Sequence, residues 1–354
     1  MKICLSMIVK NESHCIIQCL ERIKPYIDYW IICDTGSTDN TISVIKDFMK
    51  DVPGELHETP WQDFATNRNI ALQLSKDKAE YSLIMDADDH LFIEDNNAFN
   101  NLTESAYYIQ LRRGTLQYQR IQLFKNNLNA HYIGALHEYL NIPNINIKTQ
   151  LSGCYIQCLS LGARSQDPNK YKKDAEVLEK EIVKDPNNPR NVFYCAQSYR
   201  DAGMIEQSLE KYLQHSKMNA WIEEQYISLL NAAKIIEKLY FHDNHKVQEA
   251  YLNAYKIIPK RNEALCHLAS YCRKNNLFHL AYIYAKTGSM IEKPKDGLFI
   301  ESDCYDWRIF DELSIAAFYN NHKDEFINII STLIQNKNIP EIDRLRITDN
   351  LKFV

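Results

Sequence analysis

Over residues 1 to about 90, short apolar runs alternate with amphipathic segments, and two of those runs end in carboxylates. Ile3 to Val9 predicts a first strand. Glu12 to Ile23 predicts a helix, because Cys15, Ile16, Cys19, Leu20 and Ile23 share one face at helical spacing. Tyr29 to Cys33 predicts a second strand, followed by a helix carrying Ile42, Val44, Ile45 and Phe48. Pro53 to Glu58 reads as a short third strand, Ala65 to Ser75 as a helix and Tyr81 to Met85 as a fourth strand. Alternation at this spacing specifies a mostly parallel sheet wrapped by helices. Such open sheets bind ligands where the C-terminal ends of the strands emerge.

The pattern then changes. Ala106 to Leu111 and Leu116 to Phe124 predict a hairpin around Arg112-Arg113-Gly114-Thr115, and residues 131 to 160 hold further short strands. From about residue 168 the chain reads as helical pairs. Val192 to Ala202, a turn at Gly203 and Glu206 to Lys217 form the first, fitting one helix–turn–helix unit of a tetratricopeptide-type repeat. Comparable pairs follow over Glu224 to Ile258, Asn262 to Met290 and Asp306 to Gln335. A length of 354 residues suits two domains. The expected division is an α/β domain over residues 1–165 and an all-α helical-hairpin repeat domain over 166–354. Stacked hairpins present a concave surface for a partner, and such arrays also mediate homodimerisation.

Composition narrows the partners. With 45% apolar and 25% charged residues and a formal net charge of -5, nothing favours nucleic acid or an anionic membrane. The apolar N-terminus stops at Lys10-Asn11-Glu12, too early for a signal peptide, and no segment is long and apolar enough to span a bilayer. The ten cysteines avoid the Cys-x-x-Cys spacing of zinc sites and sit among apolar neighbours. A reduced, cytoplasmic protein with buried thiols is the expectation.

Two strand ends carry the chemistry. Asp86 and Asp88 are two residues apart, so on extended chain they project to one side. Like charges so close call for a cation between them, and a hard divalent ion carrying phosphate answers that need. An acidic turn after a core strand is the alternative. The second end is Asp34-Thr35-Gly36-Ser37. An aspartic protease needs two such aspartates, and no second Asp-Thr-Gly or Asp-Ser-Gly occurs. Thr38, Asp39 or Asn40 can cap the helix that starts near Thr41. A dehalogenase-type phosphatase wants its aspartates after the first strand, whereas here they follow the fourth.

Four motifs taken in order are more specific: Ser6 to Glu12, Cys33 to Thr41, Trp61 to Asn69, and Met85 to Asp89. This set resembles family 2 glycosyltransferases of the GT-A fold over about residues 1–160. The helical tail, including Tyr305 to Leu313, resembles a subgroup with tetratricopeptide-like C-terminal repeats that includes some peptide S-glycosyltransferases. The resemblance implies an inverting hexosyltransfer from a nucleotide sugar, UDP-linked, to a protein, peptide or glycan acceptor, with Mn²⁺ or Mg²⁺ as cofactor. It implies that Asp34 accepts a hydrogen bond from the base and that Arg68 closes over the nucleotide, its fork suiting phosphate or a bridging carboxylate. Asp86 would touch the ribose and share the metal site with Asp88, and Asp89 would face the donor sugar. The subgroup's Gly-x-x-His-Glu element stands intact at Gly134 to Glu138. Glu138 or His137 would serve near the acceptor, or His137 would ligate metal; on a strand only one of the two would face the site. One departure stands out: Ser160 occupies the position where relatives often place a metal-completing His. Arg164 is a further candidate for holding diphosphate. A scaffold with a relic nucleotide-binding domain is the competing reading, opposed by the intact Asp34, Arg68, Asp86 and Asp88.

Overall fold

The computed structural model describes residues 2–114, 116–145 and 149–353. Thr115 of the expected hairpin connection and residues 146–148 of the later strand region lie outside the described residues. The chain divides into two compact units, Met1–Leu178 and Glu179–Val354.

In the first unit the strands are β1 (Ile3–Val9), β2 (Tyr29–Asp34), β3 (Gly54–Glu58), β4 (Tyr81–Ile84), β5 (Asp89–Ile93), β6 (Ala106–Arg113), β7 (Leu116–Lys125), β8 (His131–Ile133), β9 (Tyr139–Asn141) and β10 (Gln150–Cys158). The helices are α1 (Ile16–Ile23), α2 (Thr41–Met49) and α3 (Phe64–Ser75). The main sheet runs β3-β2-β1-β4-β7-β6-β10-β5. Its first four strands are mutually parallel, so Val9, Asp34 and Ile84 emerge at one edge. β7 then pairs antiparallel with β4 and β6, and β5 pairs antiparallel with β10. β1 lies between β2 and β4, and sequence order reverses across it. That reversal opens the crevice where such sheets take their ligands.

The core explains why these segments are strands. Leu5, Met7, Ile32, Leu83 and Ile109 are fully or almost fully buried in one apolar cluster with Ile16, Leu20 and Ile23 of α1. Strands covered on both faces read as continuous apolar runs. Two local outcomes differ from the sequence expectation. Helix α1 begins at Ile16 rather than Glu12, because the Cys15 and Ile16 amides turn back onto the Glu12 carbonyl at 3.0 and 2.9 Å. That turn leaves Glu12 at the sheet edge. Strand β5 was not expected: five residues beginning at Asp89 carry too little pattern to show pairing with the distant β10.

The second unit stacks helical hairpins. After α4 (Lys170–Lys184), which spans the division, come α5 (Pro189–Asp201) with α6 (Ile205–His215), and α7 (Ile222–Leu239) with α8 (Asn244–Ile257). Then follow α9 (Glu263–Lys274) with α10 (Phe278–Ser289), α11 (Ile309–Tyr319) with α12 (Lys323–Leu333), and α13 (Glu341–Asp349). The four expected pairs are present within a few residues of their expected bounds. Helix α13 was not expected. Gly203, at φ +75, makes the first turn. No helix among the described residues is long and apolar enough to cross a membrane.

A buried polar network ties α7, α9 and the turn before α11. The Arg261 and Glu263 side chains are 2% and 0% exposed, and their closest atoms are 2.6 Å apart. Arg261 also reaches Glu223 at 2.6 Å and donates to the Leu298 carbonyl at 2.8 Å. Tyr226 and Tyr305 donate to Glu263 at 3.0 and 2.8 Å. Removing one partner strands a buried charge. Arg261→Ala is therefore expected to destabilise the helical unit by about 3–5 kcal/mol, read from the urea midpoint of its helical signal.

Candidate functional site at the strand ends

A cavity of about 800 Å³ opens at this edge. Its wall includes Lys10 and Glu12 after β1, Thr35 after β2, Arg68 on α3, and Asp86 to Asp89 after β4. Arg113, Tyr118 and Arg120 from the hairpin complete it, together with the segment around Gly162 to Ser165 and Lys170 of α4. The volume lies within the usual range for small-molecule pockets.

Helix α3 is set accurately. Asp63 caps it, accepting from the Thr66 amide at 2.8 Å and the Thr66 hydroxyl at 2.7 Å. The fully buried Asn67 accepts from the Gln62 amide at 2.9 Å and donates to the Pro60 carbonyl at 3.1 Å. Asn69 exchanges two hydrogen bonds with the Tyr132 backbone, at 2.7 and 3.0 Å, and so fixes β8 to the helix. Between these anchors Arg68 lies buried. Its guanidinium donates to Asp86 at 2.6 Å and to Glu138 at 2.8 Å. Burial alone would lower its pKa; the two carboxylates raise it. Loss of water pushes Asp86 up, but Arg68, with Arg120 and Arg113 behind it, holds its carboxyl below the usual range.

The other expected residues fall out as follows. Asp34 is 1% exposed; one oxygen accepts from the Gly36 and Ser37 amides at 2.9 and 2.8 Å. Its second oxygen is buried with no partner among the described residues. Asp88 accepts from the Leu161 and Gly162 amides at 3.1 and 2.9 Å. His137 and Glu138 do not sit on a strand. They lie in the turn between β8 and β9, with His137 exposed at φ +51. Neither is among the residues lining the cavity; Glu138 is joined to Asp86 through Arg68. Arg164 is ion-paired with Asp174. Ser160 accepts from Arg113 at 3.1 Å. Of the three cap candidates, Asn40 stands at the N-cap with no side-chain cap hydrogen bond, and Asp39 Oδ1 accepts from the Thr41 amide and hydroxyl at 3.0 and 2.5 Å.

Sequence reasoning gave no role to Glu12, Arg113, Arg120 or Lys170. Lys10, Arg113, Arg120 and Lys170 line the cavity with no carboxylate within 4 Å among the described residues, whereas Arg68, Arg164 and Lys173 are each ion-paired. Burial and the neighbouring Arg164 lower the Lys170 pKa. Asp88 and Glu12 both approach Gly162: a Cβ built there would lie 3.2 Å from one Asp88 oxygen and 3.3 Å from a Glu12 oxygen. Loss of water, and to a lesser degree Asp88, raises the Glu12 pKa. Carboxylate oxygens are the donors that a hard divalent ion takes.

Asp89 is 4% exposed, and burial with the Asp86 and Asp88 charges pushes its pKa up from 3.8 to about 8. A carboxyl raised on folding contributes stability that is complete below the unfolded pKa and is lost as pH rises through the folded one. In metal-free buffer, the melting temperature of wild type relative to Asp89→Asn should therefore fall as pH rises from 3.8 to about 8. A difference independent of pH would contradict this placement of the carboxyl.

Residues 4–95 match the family model described as Glycosyl transferase family 2. The chain is 25% identical over 231 residues to the SPbeta prophage-derived glycosyltransferase SunS of Bacillus subtilis, covering 60% of this chain and 52% of that protein. It is 28% identical over 161 residues to a TPR repeat-containing protein of Synechococcus elongatus, covering 42% of this chain and 38% of that protein. The chain thus spans about half the length, or less, of these curated relatives. A crystal structure of S. aureus TarS 1-349 in complex with UDP-GlcNAc aligns over 72% of this chain and 87% of that one, at 14% identity and a TM-score of 0.38. Residues 4–95, within the N-terminal unit, are thus similar to the glycosyltransferase family 2 domain, as the motifs implied.

Proposed function

We propose that the N-terminal unit transfers a hexose, with inversion, from a UDP-linked sugar to a protein, peptide or glycan acceptor. The observation that carries this reading is the cation-rich cavity at the strand ends, where Arg113, Arg120 and Lys170 have no carboxylate within 4 Å among the described residues. Such cations suit a bound diphosphate. As the bond to the sugar breaks, negative charge grows on the departing nucleoside diphosphate, and charges already in place stabilise it without reorganisation.

The remaining residues take the parts implied by the resemblance. The unpaired Asp34 oxygen suits an N–H donor such as a pyrimidine imide. Arg68 holds Asp86 in position for the ribose hydroxyls. Asp89, whose neutral form burial and the Asp86 and Asp88 charges favour, would serve as a donor as well as an acceptor toward the sugar. Asp88 would hold a divalent ion, Mn²⁺ or Mg²⁺, which supplies Lewis-acid compensation for the diphosphate when bound. The resemblance gives the acceptor's proton to Glu138 or His137; neither lines the cavity, and Glu138 is held by Arg68 at 2.8 Å. An acceptor polypeptide is consistent with the helical hairpins that follow.

The test is nucleotide release from a panel of UDP, GDP and CMP sugars with Mn²⁺, for wild type and Asp88→Ala. Release from a UDP-hexose by wild type, lowered about a hundredfold in the variant, is expected. Failure of wild type to bind or turn over any of these donors would overturn the reading.

A further inference from the structure

A general base must come within about 3 Å of the proton it takes, inside the cavity where donor and acceptor meet. Glu138 is placed otherwise. Arg68 and Asp86 line the cavity, and Glu138 does not. The Glu138 side chain is 10% exposed, and its Oε1 accepts from Arg68 Nε at 2.8 Å. Asp86 takes a different nitrogen of the same guanidinium, Nη2, at 2.6 Å. The two carboxylates therefore use separate arms of one planar fork, and fixing one arm fixes the direction of the other.

The chain around Glu138 is built for that contact. Gly134 has φ +104, a backbone conformation that residues with a Cβ rarely adopt. A Cβ there would lie 3.4 Å from the Leu136 carbonyl oxygen and 3.6 Å from the Glu138 Cα, so the turn folds back closely on itself. Leu136 is buried, and the Ala135 carbonyl accepts from the Phe64 amide, at the start of α3, at 3.3 Å. Asn69 holds the Tyr132 backbone just ahead of the turn. The turn is thus tied to α3 at Phe64, Arg68 and Asn69.

The contact needs an acceptor at Nε more than it needs a second negative charge, because Asp86 already balances Arg68 one to one. An amide oxygen in the same place would still accept. With no acceptor there, a donor of a buried guanidinium is left unpaired, and the plane that directs Nη2 at Asp86 loses its second fixed point.

We infer that Glu138 is a positioning residue: it holds the plane of Arg68, which holds Asp86 toward the nucleotide, and it takes no proton from the acceptor. This inference rests on the proposed function and removes Glu138 from the choice of base.

The experiment compares wild type, Glu138→Gln and Glu138→Ala by calorimetric titration of UDP. It also follows UDP release from the UDP-linked forms of glucose, galactose and N-acetylglucosamine. Glu138→Gln should bind UDP within about threefold of wild type, and Glu138→Ala at least about tenfold more weakly. UDP release by Glu138→Gln should stay within about tenfold of wild type, whereas loss of a general base costs roughly a hundredfold or more. In an Asp86→Asn background, Glu138→Ala should weaken UDP binding by less than about twofold further, because its effect passes through Asp86.

Melting curves followed by circular dichroism restrict the comparison to folded proteins, and Glu138→Gln keeps the side chain's shape if Glu138→Ala does not fold. Glu138→Gln that binds UDP as wild type does but releases it about a hundredfold more slowly would identify a base and overturn the inference. Folded Glu138→Ala with unchanged UDP affinity would also overturn it, as would an equal cost of Glu138→Ala with and without Asp86. Those outcomes refute this role alone. Wild type that binds no UDP refutes the proposed function and this role with it.

Discussion

The geometry of the site depends on one buried guanidinium. Arg68 takes Asp86 from the end of β4 and Glu138 from the β8–β9 turn and holds both within hydrogen-bond distance. A charge this deeply enclosed is tolerable only if it is paired and its donors are used. The fork of arginine meets that condition with two carboxylates at once. The Tyr132 ring, its centroid 5.5 Å from the guanidinium carbon, closes another side. Two distant segments of chain therefore meet at one residue, and α3 must be placed accurately for them to do so. The Asp63 cap and the Asn67 and Asn69 clamps accomplish that placement.

The cavity wall carries both signs of charge: Asp86, Asp88 and Glu12, and Arg113, Arg120 and Lys170. Burial and the Asp86 and Asp88 charges favour the neutral form of Asp89. A ligand that carries phosphates, and is bridged to carboxylates by a cation, satisfies both signs. Arg113, Arg120 and Lys170 have no carboxylate within 4 Å among the described residues.

Much of this was legible in the sequence because it depends on local pattern. The four parallel strands follow from apolar runs at βαβ spacing, and the helical pairs from helical periodicity with a glycine turn. Asp34, Asp86 and Asp88 could be read because carboxylates at strand ends sit at the sheet edge by topology alone. What could not be read depends on contacts between distant residues. The partnership of Arg68 with Glu138 joins positions 70 apart, and no local signal shows it. The β5–β10 pairing is similarly remote. The position of Glu12 turned on where a helix began, and four residues of turn separate an edge carboxylate from one on a helix face. For His137 and Glu138 the motif gave the residues, but their place in a turn and the contact of Glu138 with Arg68 lay beyond local pattern.

The direct test of the account is calorimetric titration of UDP into wild type and Arg68→Lys. Lysine keeps the positive charge but has no fork to span Asp86 and Glu138. If this junction organises a nucleotide site, the variant should keep its secondary structure and bind UDP at least about tenfold more weakly, a cost of roughly 1.4 kcal/mol. Equal affinity in a folded variant would contradict the account.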